Sequence, residues 1–146
     1  MTYPNDPLAD GGIAVFAENL RAGRTTICKV TSAYLDRIES LDAKLGAFQY
    51  VAKEQAMAAA EAMDKLLASG TDLGPLMGVP IGIKDIYAVD HMPTTNGSLF
   101  DASGITGSEG RFVTGLKQAG CIILGKTKTV EFALGATGVN EARGTP

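Results

Sequence analysis

The residues predict an α/β fold with a helical lead-in, on three observations. Apolar side chains recur at helical spacing through the first 70 of 146 residues, two short apolar runs bounded by glycines follow, and another helical stretch separates those runs. The order strand, helix, strand describes a crossover unit with parallel, buried strands.

After a Pro- and Asp-rich start, Ile13, Phe16 and Leu20 mark the first helix and Gly23 its stop. Thr26 caps a second helix whose apolar stripe runs through Val30, Tyr34, Ile38 and Leu41, with Gly46 just beyond. "KEQAMAAAEAMDKLLASG" is built from strong helix formers and ends at Gly70. "TDLGPLMG" is turn chemistry, and "VPIGI" then reads as a strand with Pro80 near its start, where a strand tolerates proline best. Residues 106–119 place Phe112, Val113 and Leu116 on one helical face, closed by Gly120. "CIIL" is the second strand, after which Thr127 or Thr129 caps a short helix through Phe132. Two parallel strands cannot cover themselves, and "GATGVNEARGTP" supplies no anchoring element, so more of the sheet is expected elsewhere.

Composition excludes several function classes. With 45% hydrophobic and 20% charged residues and a net charge of −3, the chain falls among soluble globular proteins, and it has no basic cluster suited to nucleic acid or an anionic membrane. No apolar run reaches spanning length and "MTYPNDPLADGG" lacks a secretory pattern, so a cytoplasmic protein is expected. Cys28, Cys121 and the single His91 make neither a disulfide framework nor a zinc spacing, so neither metal nor organic cofactor is expected.

Residues 120–127, "GCIILGKT", spell the phosphate-loop expression G-x-x-x-x-G-K-[ST]. That chemistry needs a strand before the first glycine and a helix beginning at the lysine, whereas here a helix precedes Gly120 and strand residues fill the middle. The order argues against nucleotide binding and places Lys126 and Thr127 in a loop after the strand. Neither G-x-S-x-G nor S-x-x-K occurs. A Cys121–His91 dyad is disfavoured, because a cysteine inside an apolar run is ordinarily a small core residue.

Lys84 ends the run "GVPIGIKD" and admits two readings. Its stem can pack on the core while the ammonium reaches solvent or pairs with Asp85. Alternatively, desolvation lowers the lysine pKa and makes a neutral general base at the C-terminal end of a strand, where α/β crevices lie. Gly78 and Gly82 suit the second reading, since glycine in a strand marks a close approach of other groups.

"GPLMGVPIGIKDIYAVDHMPTTNGS" followed by "GLKQAGCIILGKTKTVEFALGATGVN" resembles the N-terminal part of the amidase signature family of serine amide hydrolases, a likeness that runs from about residue 13 to the end. The resemblance implies a mixed, helix-covered α/β sheet, of which residues 1–70 are the helical lead-in and 71–146 the first strands, the lysine segment and a pocket loop. It also implies that Lys84 is the base of a serine, cis-serine, lysine triad that hydrolyses a small-molecule carboxylic amide, other than a peptide bond, through an acyl-enzyme. Thr137, Gly138 and Asn140 would border the substrate pocket, or belong to a mobile loop, and Asp85 and Ser98 would support Lys84 or serve simple turn roles.

The glycine- and serine-rich segment that carries the other two triad members in the family is not among these residues. The remainder of the domain is therefore expected in the same or a second chain, with this piece inactive alone and a homodimer the default assembly. Two alternatives stand beside this reading: the amidase subunit of a glutamine-dependent tRNA amidotransferase, and a non-catalytic module that docks a partner through its helical stripe.

Overall fold

The computed structural model describes residues 6–146, so the first five residues of the N-terminal reading lie outside the described residues. Helices α1 (Gly12–Arg21) and α2 (Ile27–Leu45) open the chain, followed by β1 (Phe48–Val51) and α3 (Lys53–Ala68). Next come β2 (Pro80–Lys84), the short α4 (Ser103–Thr106), α5 (Arg111–Gln118) and β3 (Ile122–Thr127), with a 3-10 turn at Glu131–Ala133. The sheet order is β1-β3-β2, with β2 parallel to β3 and β1 antiparallel to it.

The N-terminus of α2 is held twice. Thr26 Oγ1 accepts from Lys29 N, and the Asp64 carboxylate on α3 accepts from the amides of Ile27 and Cys28 at 2.8 and 3.0 Å. These bonds satisfy amides that a helix leaves unpaired and set a negative charge at its positive end. Burial and the Asp64 carboxylate push the Cys28 thiol up to about 11. At the other end, Gly46 takes φ 60 and Asp42 Oδ1 accepts from Ala47 and Phe48, turning the chain into β1.

One face of the sheet is covered by α2 and α3, with α1 joining the same core, through Phe16, Leu20, Ile27, Val30, Leu35, Met77, Ile122 and Leu124. Ala56 and Ala60 are buried small side chains that bring α3 close to β3. Complete burial of Ile27, Met77 and Ile122 stabilises the fold by about 1.5–3 kcal/mol each. A smaller cluster of Ile83, Val89, Val113 and Ile123 lies with α5 on the other face.

Several expectations are corrected here. "FQYV" forms strand β1, which sequence reading passed over because four residues that are half-buried or exposed show no alternation. The helix expected over 106–119 forms only as α5, Arg111–Gln118, with residues 107–110 separating it from α4, and Phe112 is 57% exposed, tilted against the Tyr87 ring at 5.2 Å. β3 continues through Lys126 and Thr127, so neither is a loop residue. Thr129 does not cap the turn at Glu131–Ala133: its hydroxyl donates to the Val130 carbonyl. β3 is buried as a parallel strand should be, whereas β2 is an edge strand, exposed at Gly82 and Lys84.

Candidate active site

Lys84 stands at the C-terminal end of β2, abreast of Thr127 in β3. Gly82 shares its face of the strand, where an added Cβ would come within 2.8 Å of Thr127 Cγ2. The close approach inferred from the glycines is thus present. The Lys84 side chain is exposed and, among the described residues, makes no hydrogen bond or ion pair, so these residues do not supply the desolvation that the sequence argument invoked.

The buried lysine is Lys126. Ile83 and Lys126 are register partners, which puts Lys126 beside the small apolar cluster. Both Lys126 and Asp85 have fully buried side chains, with Nζ 2.9 Å from Asp85 Oδ1. The same Nζ donates to the Pro93 carbonyl at 3.1 Å and to Thr94 Oγ1 at 2.7 Å, which satisfies all three ammonium donors. Asp85 Oδ2 accepts from the Thr95 amide and hydroxyl at 3.1 and 2.5 Å. Burial draws the Lys126 ammonium below the usual lysine range, and the Asp85 carboxylate opposes that shift.

Asp85 and Ser98 were expected to support Lys84 by hydrogen bonding, and neither side chain bonds the Lys84 side chain. Asp85 binds Lys126, and Ser98 Oγ donates to Glu131 at 2.6 Å. What sequence reasoning missed is the Lys126 ion pair. The available signal was that both apolar runs end in a lysine while only the first is followed by a carboxylate, so a parallel register sets Asp85 next to the second lysine.

Asn140 locks the adjoining loops together. Its Nδ2 donates to the carbonyls of Gly97 and Thr129 at 2.7 and 2.9 Å, and its Oδ1 accepts from the amides of Ala142 and Arg143. It also borders a cleft of about 630 Å³ lined by Val130, Glu131, Phe132, Leu134 and Val139. Thr137 is exposed, Gly138 is half-buried, and neither lines that cleft. Asn96, Phe132 and Ala133 all take positive φ, and Phe132 N donates to the Asn96 carbonyl at 2.7 Å. A left-handed conformation costs a bulky residue about 1–2 kcal/mol, so this loop cluster is held against backbone strain.

His91 and Cys121 line one cavity of about 330 Å³ together with Met63, Met92, Lys117 and Ile123. Burial pushes the Cys121 thiol up, which suits a core residue better than a nucleophile. Lys126 does not begin a helix, so the phosphate-loop geometry is not formed. Among the described residues no group of three or more His, Cys, Asp or Glu could hold a metal ion, and no helix is long and apolar enough to cross a membrane.

Known proteins share both the sequence pattern and the fold. A family model described as Amidase matches residues 29–146. The chain is 41% identical over 131 residues to a glutamyl-tRNA(Gln) amidotransferase subunit from Streptomyces coelicolor, covering 90% of this chain and 26% of the relative. It is 44% identical to the protein of the same name from Acidothermus cellulolyticus, over 80% of this chain and 23% of that one. Among solved structures, the native peptide amidase from Stenotrophomonas maltophilia matches with TM-score 0.85 and 29% identity, over 97% of this chain and 30% of its own. A structure of fatty acid amide hydrolase also gives TM-score 0.85, covering 99% of this chain and 26% of its own, at 20% identity, a likeness of fold alone. The chain spans about a quarter of the curated relatives it matches.

Proposed function

This chain belongs to the amidase family, and from that premise we propose that it supplies Lys84 as the general base of an enzyme that cleaves a carboxylic amide. The observation that carries the reading is the position of Lys84, at the C-terminal end of a parallel strand beside a strained, heavily cross-bonded loop cluster. As a neutral amine, Lys84 takes a proton, relayed through a second serine, from a serine that attacks the amide carbon. The C–N bond breaks, the amine or ammonia leaves with a proton, and water then releases the acid from the acyl-enzyme.

Those serines belong to residues outside these 146, and residues 1–146 are on this reading the N-terminal part of one larger amidase domain, inactive alone. Support comes from the loop cluster, where Leu99 (70%), Phe100 and Leu134 (83%) are exposed, an apolar surface suited to burial beneath further chain. The same cover would close over the exposed Lys84 side chain. Asn140 frames the substrate cleft, with Thr137 and Gly138 beyond it, for a small-molecule amide.

A second reading, the amidase subunit of a glutamine-dependent tRNA amidotransferase, is favoured by the similarity to glutamyl-tRNA(Gln) amidotransferase subunits. The two differ in the ammonia: a stand-alone amidase releases it from a simple amide, whereas the amidotransferase passes it to an aminoacyl-tRNA. A docking role for the N-terminal stripe has less support, because Phe16, Leu20 and Val30 are buried and Tyr34 and Ile38 half-buried against the chain's own core, while Ile13 is exposed. Lys84→Ala in the complete enzyme is expected to lower amide turnover by about a thousandfold or more while melting temperature stays put. Near-normal turnover would remove Lys84 from the mechanism.

A further inference from the structure

We propose that Lys126 and Asp85 are positioning residues for amide cleavage, a buried ion pair that fixes the Lys84 backbone from the opposite face of the sheet; the proposal rests on Lys84 being the base. Lys84 and Asp85 are consecutive, so whatever holds the Asp85 side chain fixes the peptide that aims Lys84. Register places Lys84 abreast of Thr127 and Ile83 abreast of Lys126, so the pair sits under the strand end that presents Lys84. The Asp85 amide donates to the Thr127 carbonyl at 2.9 Å, and its carbonyl accepts from Asn96 at 3.0 Å. The Ile86 and Tyr87 amides both turn back to the Lys84 carbonyl. Both polar groups of the peptide joining Lys84 to Asp85 are therefore engaged.

Stability alone is a weak reason for such a pair. Burying two charges carries a desolvation penalty that their attraction does not reliably repay, and apolar replacements of such pairs are often neutral or better. What the pair does provide is a single geometry. Lys126 reaches strand β2 through Asp85, and the following loop through the Pro93 carbonyl and Thr94 hydroxyl. Asp85 in turn holds Thr95 through its amide and hydroxyl. The end of β2, the end of β3 and the 93–95 loop are locked at one point, the condition for holding a general base within reach of its proton.

The test is a double-mutant cycle in the complete enzyme, with kcat and KM for amide hydrolysis measured at a temperature well below every melting midpoint. Lys126→Met is expected to lower kcat by about thirtyfold or more with KM within about threefold, and to change the residual rate of a Lys84→Ala enzyme by less than about threefold. An unchanged kcat when Lys84 is intact overturns the proposal. An equal loss with and without Lys84 overturns it too, since that is a structural effect that does not act through the base. If Lys84→Ala alone retains normal turnover, the general-base reading fails first, and the cycle reports that separately. Should Lys126→Met not fold, Thr94→Val removes one Lys126 partner and is expected to lower kcat severalfold by the same pattern; no change in kcat with Thr94→Val overturns the proposal.

Discussion

Asn140→Ala is expected to release the loops that the asparagine joins, and the cost can be worked from its partners. The Ala142 and Arg143 amides lie in exposed or half-exposed chain and can turn to water once Oδ1 is gone. Gly97 and Thr129 are buried, so their carbonyls lose the Nδ2 donor without replacement. At about 1–1.5 kcal/mol for each stranded carbonyl, and somewhat less for the amides, the sum is roughly 3 kcal/mol. That corresponds to about a hundredfold in the opening equilibrium of the loop cluster. The assay is amide hydrogen exchange of the complete protein, read at Ala142, Arg143 and Phe132, whose amide is tied to Asn96 in the same cluster. Asn140→Asp is the sharper control, because its carboxylate would face the two carbonyl oxygens that Nδ2 now binds, and it should lose at least as much protection at neutral pH. Protection changed by less than about fivefold in both variants would refute the accounting, and with it the view that Asn140 acts as a clamp.

Gly78→Ala is expected to destabilise by about 2–4 kcal/mol in urea unfolding, since the new Cβ would lie 2.5 Å from Cγ1 of the fully buried Ile27 at φ +80. Gly74→Ala, at φ +100 with nothing within 4 Å, carries the backbone strain alone and should cost about 1–2 kcal/mol; equal losses would rule out the Ile27 contact as the cause. Burial pushes the Glu109 carboxyl up, but Lys117, the Asp90 amide and Thr114 outweigh it and hold the group below the usual 4.5. A depressed folded pKa gives stability that is present above about pH 4.5 and lost as pH falls through the lower folded value, so Glu109→Gln should flatten the melting-temperature profile between about pH 5 and pH 2. An unaltered slope would contradict that assignment.

Local chemistry determined much of the fold. Thr26, Gly46, Gly70 and Gly120 punctuate the helices in the structure as capping rules require, because a cap depends on residues a few positions away. The two parallel strands were legible because each is a short apolar run between turn signals, and Lys84 was legible from its place at the end of one of them. The split at 107–110 and strand β1 were not, since both depend on what packs against them. β1 is defined by its antiparallel partner, and the two backbones run so close at Gly125 that an added Cβ there would lie 2.1 Å from the Tyr50 carbonyl oxygen.

The site divides the same way. Sequence by itself singled out Lys84 as a candidate base and the loop "LGATGVNEARG" as a candidate pocket border. Only the tertiary structure decided which lysine is buried: Lys84 is exposed, as the reading with its ammonium in solvent has it, whereas Lys126, expected in a loop, is enclosed with Asp85. The physical reason is that the burial of a charge is settled by partners distant in the chain. Lys126 is more than thirty residues from Asp85, Pro93 and Thr94, and only the parallel register of β2 and β3 brings those groups within bonding distance of one ammonium.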